Sequence, residues 1–427
     1  MSTSDPIEAI RPLRIAMLSI HSSPLGPLGT RDTGGMSVYV RELAQWLGRM
    51  GHGVDIFTCV RTGGDDTLDL HPNVRLIHLA PEAVGKMGKE HLHLHADAIF
   101  RALDGYVRSH RWRYDLIHSH YWISGLIGDM ARRQWRCPHM ITFHTLGMVK
   151  NNTAGSENEP DLRIAHESLL VQEADAIVAP AQRERDNLIR FYRALERKIV
   201  IIPCGVNLKL FRPLDRTHSR RRLGIPPERR VVLFVGRFAV LKGVDALLKA
   251  AADLAQRISD LQLVLVGGDG PESAGLQSLT RLAETLGLGD RVWFPGRVEQ
   301  DRLPLYYSAA DVLALPSHYE SFGLVVLEAL ACGTPVAATR IGAVETIIRP
   351  GINGTLIDDP GPAGVARGIA RFFEHSSGRI LDPYAVRATV GHCGWERVAA
   401  VMVRAYSELI EARSGSQPVP PAAGLAN

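Results

Sequence analysis

Short apolar runs alternate with longer stretches whose apolar positions fall on one helical face, and this alternation starts twice. In the first series the runs lie at 15–20, 54–58, 74–79, 116–119, 140–143 and 176–179, with a helix predicted over about 36–50. A polar, arginine-rich stretch follows Pro203-Cys204-Gly205-Val206-Asn207 and extends to Arg222. The runs resume at 231–235, 261–266, 292–294, 312–315 and 336–338, and helix-like sequence over 395–412 closes the chain. Strands this short, separated by helices, imply parallel sheets covered on both faces. The sequence therefore predicts an α/β protein of two Rossmann-like, doubly wound domains, 1–207 and 208–412, with the final helix packing back toward the first. Residues 413–427, rich in Ser, Pro, Ala and Gly, hold too little apolar content to stay ordered and read as a disordered tail.

The length of 427 residues supports this division, because it exceeds what one ordinary core serves. Charge acts by exclusion: 49 Lys and Arg against 45 Asp and Glu is far from the basic balance of a nucleic-acid binder, so no nucleic-acid partner is expected. The five cysteines (Cys59, Cys137, Cys204, Cys332, Cys393) are odd in number and lack metal or disulfide spacing, so they read as reduced thiols. The N-terminus is polar, and the first apolar run is far too short for a signal or membrane helix. A cytoplasmic protein with no transmembrane segment is expected.

Candidate chemistry collects where apolar runs end. Glu320-Ser-Phe-Gly-Leu-Val-Val-Leu-Glu328 follows the run 312–315 and places one carboxylate on a strand-to-helix loop and another inside the helix, where open α/β sheets bind ligands. Such carboxylates accept hydrogen bonds from sugar hydroxyls or a ribose diol; the competing reading is two solvated acids favoured by a helix N-terminus. From Gly236-Arg237 to Lys242-Gly243 two cations reach the end of the run 231–235, suited to one pyrophosphate or, alternatively, to an exposed basic loop. Asp32-Thr-Gly-Gly35-Met36 opens the first long helix, whose free amides attract an anion, although ordinary tight turns also use a double glycine. The dinucleotide pattern G-x-G-x-x-G is absent there. His118-Ser-His120-Tyr121-Trp122 and His144-Thr145 follow two further runs. Alternation puts His118 and His120 on one strand face, and a zinc reading lacks a third ligand at metal spacing, so no metal site is expected.

Five elements, Asp32-Thr-Gly-Gly-Met36, His118-x-His-Tyr-Trp122, Gly236-Arg237 with Lys242, Glu320 with Glu328, and Gly333-Thr-Pro335, occur in the order found in the retaining glycosyltransferases of family 4. The chain resembles that family over residues 14–410. Within it the resemblance runs to members that add N-acetylglucosamine to inositol 3-phosphate, with the sucrose-phosphate synthases near by motif. The resemblance implies a GT-B fold, two domains facing across a cleft, the first binding acceptor and the second nucleotide sugar. It implies that Gly35 meets the donor diphosphate through its amide, that Arg237 and Lys242 neutralise the departing nucleotide, that Glu328 holds the ribose and Glu320 a donor-sugar hydroxyl. On the acceptor side it implies a phosphate clamp of Lys89, Tyr121, Thr145 and Arg163, with His21, Asp32, Ser37 and His144 close by. Arg237, Lys242, His144 and Glu320 would form the catalytic set. Three positions depart from the inositol-phosphate members: Ser37 replaces an asparagine, Arg31-Asp32-Thr33 is similar to the sucrose-phosphate synthases, and Phe143 precedes His144 where a smaller residue is usual.

The implied reaction moves a sugar, N-acetylglucosamine first, from a UDP-sugar to a phosphorylated polyol such as inositol phosphate, with retention. The alternative is transfer of glucose from UDP-glucose to a sugar phosphate such as fructose 6-phosphate. Both substrates are small molecules, the UDP-sugar is a co-substrate, no cofactor is required, and Mg2+ is given no catalytic part. A homodimer stays open. A retaining glycosidase would need paired carboxyl groups about 5 Å apart, and no acid is obviously placed for that here. Lys89, Tyr121 and Arg163 speak against a nucleotide-sugar epimerase, which needs no acceptor; Arg237, Lys242 and both glutamates would be surplus in a non-catalytic sugar-nucleotide sensor.

Overall fold

The computed structural model describes residues 11–26, 33–59, 66–81, 89–153, 158–268, 270, 273–375, 381–413 and 415. Its first sheet holds β1 (Arg14–Leu18), β2 (Gly53–Thr58), β3 (Thr67–His71), β4 (Val74–His78), β5 (Leu116–His120), β6 (His139–Thr142), β7 (Ala176–Ala179) and β8 (Ile199–Ile201). They lie in the order β3-β4-β2-β1-β5-β6-β7-β8, parallel except for the β3 edge. The second sheet holds β9 (Arg230–Val235), β10 (Leu261–Val266), β11 (Val292–Gly296), β12 (Val312–Leu315), β13 (Val336–Thr339) and β14 (Gly354–Ile357), in the order β11-β10-β9-β12-β13-β14. All its pairings are parallel. The central strands are buried along their whole length, because helices cover both faces of each sheet.

Each sheet reverses its winding beside its first strand. β1 sits between β2 and β5, and β9 sits between β10 and β12. At such a switch point the connections leave in opposite directions and open a crevice at the carboxyl ends of the strands. The loops after β1, β5, β9 and β12 carry His21, Tyr121, Arg237 and Glu320 respectively. Topology alone therefore gathers the candidate residues of each domain.

Three strands were not legible as apolar runs. β3 is a polar edge strand with mixed exposure, β8 is a three-residue edge strand that is only half-buried, and β14 opens on a glycine. An edge strand buries one side or neither, so its sequence carries little hydrophobic signal.

The last helix, Trp395–Arg413, returns to the first domain and packs on the opening helix Gly35–Arg49. Its hydrophobic face inserts Trp395, Met402 and Tyr406, all essentially inaccessible, into one apolar cluster that also contains Tyr39 and Leu43 of the first domain and Tyr307 and Leu327 of the second. Trp395 meets the Tyr39 ring edge-on at 5.3 Å. The helix extends through Arg413, which donates to the Cys137 carbonyl at 2.7 Å and pairs with Asp175, so this residue belongs to the helix and not to a tail. The remainder of the expected disordered tail, apart from Gly415, lies outside the described residues.

The linker between domains is fitted to this helix. Val206 N–H donates to the Cys393 carbonyl at 2.8 Å, and a Cβ at Gly205 would lie 2.7 Å from the Trp395 ring and 2.9 Å from its Cα. Backbone cannot yield as a side-chain end can. Gly205→Ala is therefore expected to destabilise the protein by about 1–3 kcal/mol through overpacking, with faster proteolysis within 395–413. An unchanged thermal midpoint and unchanged cleavage would show that the contact is slack.

Candidate active site

On the second domain, two loops are laced together by their backbones. The His318 N–H donates to the Leu241 carbonyl at 2.8 Å, and Gly243, at φ +65°, approaches so closely that a Cβ would lie 2.3 Å from the Pro316 carbonyl oxygen. Only glycine fits both the left-handed backbone and the approach. The lacing brings Lys242 to Glu320, where the ammonium pairs with Oε1, and Ser317 Oγ donates to the same oxygen at 3.2 Å. Arg237 stands exposed at the end of β9.

Glu328 lies on the helix Leu324–Ala331 and is buried. Burial pushes its carboxyl up to about 7, while Tyr307, whose hydroxyl donates to Oε2 at 2.8 Å, and Gln300 oppose that shift. Thr334 of the Gly333-Thr-Pro motif donates to the Tyr307 carbonyl at 2.6 Å, so this motif acts through Tyr307 on Glu328. The same Gln300 accepts from Arg41 of the first domain at 2.5 Å. Gly35, the first residue of its helix, faces the second domain: a Cβ there would lie 3.5 Å from Leu324 Cδ1. A glycine turn that the sequence reading passed over completes this wall. Gly267 and Gly268, both at positive φ after β10, lie against Gly236 and Phe238. The signal was present in the sequence as Val266-Gly-Gly-Asp-Gly270, a glycine cluster closing an apolar run.

On the first domain, Tyr121, Thr145 and Arg163 converge. The Arg163 guanidinium lies over the Tyr121 ring at 4.9 Å, and its NH2 group donates to the Thr145 carbonyl at 2.9 Å and hydroxyl at 3.0 Å. Nε donates to Glu167, a fully buried carboxylate that also accepts from the Gly147 N–H. Tyr121 caps the helix Trp122–Trp135 at φ 75° and ψ 157°, a region that residues with a Cβ visit at a cost of about 1–3 kcal/mol. His21 packs on its ring, centroids 4.5 Å apart. Ser37 is buried, its hydroxyl 2.8 Å from that of Ser22. Asp32 lies outside the described residues, as does the Lys89 side chain; the Lys89 backbone opens the 3-10 turn Lys89–His95.

Behind this wall stands a column of histidines. His118 is bonded through Nδ1 to the Tyr406 hydroxyl at 2.7 Å and through Nε2 to Thr142 at 2.9 Å, so both ring nitrogens are engaged within the protein. His120 Nδ1 lies 2.9 Å from His144 Nε2. Burial pushes His118 and His144 down to about 3 and His120 well below its ordinary value. His144 is thereby a neutral hydrogen-bonding group near pH 7 and not a cation. Among the described residues no group of three His, Cys, Asp or Glu side chains is placed to hold a metal ion.

The two walls meet directly. Ser321, next to Glu320, donates to Glu184 of the first domain at 3.0 Å; the Leu146 N–H donates to the Tyr319 hydroxyl at 3.2 Å, and Arg183 to the Arg340 carbonyl at 2.9 Å. Glu184 was not a candidate, since it reads as one polar residue in a charged helix start. Only the fold reveals its burial.

Comparison with known proteins matches both domains. A family model described as Glycosyltransferase Family 4 matches residues 33–210, and one described as Glycosyl transferases group 1 matches residues 215–382. The chain is 39% identical over 416 residues to D-inositol 3-phosphate glycosyltransferase 2 of Catenulispora acidiphila, covering 94% of this chain and 96% of that protein. It is 40% identical over 412 residues to the D-inositol 3-phosphate glycosyltransferase of Geodermatophilus obscurus, covering 94% and 90%. Sucrose-phosphate synthase from Thermosynechococcus elongatus superposes with a TM-score of 0.84 at 33% identity, over 94% of this chain and all of that one. The chain belongs to the family 4 glycosyltransferases and has their GT-B fold. No helix among the described residues is long and apolar enough to cross a membrane.

Glu184 gives the interdomain contact a pH signature. Burial pushes its carboxyl from the ordinary range near 4.5 up to about 7, so between these values the folded state holds a proton that the unfolded state has lost. The associated stability is complete below about pH 4.5 and is lost as pH rises through about 7. Glu184→Gln cannot ionise. Its stability relative to wild type, from urea denaturation, is expected to rise by up to about 3 kcal/mol between pH 5 and pH 8.5. A difference independent of pH would show that the carboxyl titrates normally.

Proposed function

We propose that this glycosyltransferase moves a sugar, N-acetylglucosamine in the first instance, from a UDP-sugar to a phosphorylated polyol of the inositol phosphate type. The observation that carries this reading is the buried guanidinium of Arg163, held against Tyr121 and Thr145 at the mouth of the first domain. A planar fork of donors stacked on an aromatic ring and flanked by a hydroxyl is chemistry for an oxyanion with several acceptor oxygens. Relatives named D-inositol 3-phosphate glycosyltransferase support the acceptor class, and a solved structure of the same fold, from Anabaena, holds UDP with glucose.

In the reaction as we read it, the acceptor hydroxyl approaches the anomeric carbon from the face that the diphosphate leaves. The carbon–oxygen bond to the diphosphate breaks, the acceptor oxygen bonds to the same carbon, and a diphosphate oxygen takes the hydroxyl proton. Arg237, Lys242 and the Gly35 amide stabilise the charge that grows on the leaving group. Glu320 and Glu328 hold a sugar hydroxyl and the ribose, and neutral His144 contributes a hydrogen bond without adding charge. Positioning two substrates in one crevice supplies the rest of the rate.

Two measurements test the reading. Lys242→Ala and Arg237→Ala are each expected to lower kcat/KM by about 100-fold or more, the loss of one charged transition-state donor; near-wild-type turnover would remove the leaving-group role. Arg163→Ala is expected to raise the KM of inositol 3-phosphate while leaving UDP affinity within about twofold, and free inositol should be a very poor acceptor for wild type. Comparable kcat/KM for inositol and its phosphate would overturn the acceptor assignment.

A further inference from the structure

Arg163 has two carboxylate partners, and they are built differently. Glu167 belongs to the helix Asp161–Glu173, is fully buried, and also binds the Gly147 amide and the Tyr192 hydroxyl, so it is wired into the scaffold. Glu159 precedes that helix. Its Oε2 lies 2.8 Å from Arg163 NH1 and its Oε1 pairs with the Lys150 ammonium, so one carboxylate bridges two cations. Its position is fixed from behind: the Asn151 side chain accepts from the Glu159 N–H at 2.6 Å and donates to its carbonyl at 3.0 Å. The two cations and two carboxylates sum to zero charge. A phosphate dianion brought to these two cations would share them with carboxylates of like charge, and of the two carboxylates Glu159 has no further side-chain partner among the described residues, whereas Glu167 would lose Tyr192.

Resting on the acceptor reading above, we propose that Glu159 is a displaceable internal anion that competes with the acceptor phosphate for Lys150 and Arg163, and so sets the minimum acceptor charge. A dianion with three oxygens displaces it; a neutral polyol, unable to replace its charge, does not. Glu159 is then a specificity-determining residue whose contribution opposes binding.

Removing its charge has a sign that a structural role would not produce. With Glu159→Gln, the Ki of inorganic phosphate at pH 8, competing with inositol 3-phosphate, is expected to fall about tenfold, and the KM of inositol 3-phosphate with it. UDP affinity should stay unchanged, which also reports that the variant folds. Asn151→Ala, which loosens the carboxylate while leaving its charge, should shift both constants in the same direction by less. Phosphate constants that are unchanged or raised in Glu159→Gln would overturn the proposal and mark Glu159 as a support for Arg163. If Arg163→Ala abolishes phosphate inhibition in that case, the acceptor reading survives alone. If inorganic phosphate inhibits none of these proteins and free inositol reacts as well as its phosphate, both fall together.

Discussion

The return of the last helix to the first domain is the constraint on which the active site depends. Neither sheet alone carries both walls of the crevice, and a linker of a few residues fixes no angle between two domains. Trp395, Met402 and Tyr406 supply what the linker cannot, a single apolar cluster shared by both halves. Burial of large side chains is non-directional, so the direction comes from the polar contact set into it, the Tyr406 hydroxyl on His118 in the middle of β5. That bond ties the closing helix to the strand that leads into Tyr121.

Much of the fold was legible because a parallel sheet covered on both faces must be built from continuous apolar runs. Leu261–Val266 and Val312–Leu315 could be read to the residue, and the closing helix was visible in its apolar periodicity. The edge strands β3 and β8 were not legible, since partial burial leaves no pattern. At the site, the cations and glutamates at strand ends were found through motif and topology, whereas their partners were not. Nothing local in the sequence says that Glu320 pairs with Lys242, that Tyr307 holds Glu328, or that Ser321 reaches Glu184. These are contacts between residues far apart in the chain, and side-chain pairing at that range depends on the completed packing.

Charge in this protein is consistently met before it is used. Lys242 faces Glu320, Arg163 faces Glu159 and Glu167, and Arg220 faces Asp311 beneath the second sheet. An unpaired charge in a half-buried crevice would be costly, so each cation is held by a carboxylate that fixes its direction. Where charge is not matched, burial moves the group toward its neutral form: the histidine column and the carboxyls of Glu184 and Glu328 shift away from their ordinary ranges in the sense that discards charge. The crevice thus presents directed cations over a base that carries little charge of its own.

The backbone at Tyr121 sets stability and chemistry against each other at a single residue. Glycine would adopt φ 75° and ψ 157° without the strain that a Cβ brings. The ring that stacks on Arg163 would vanish with it. A search for stabilising substitutions guided by backbone geometry alone would therefore select this position among its first improvements, and the protein it delivered would have lost the ring that orients Arg163 and packs on His21.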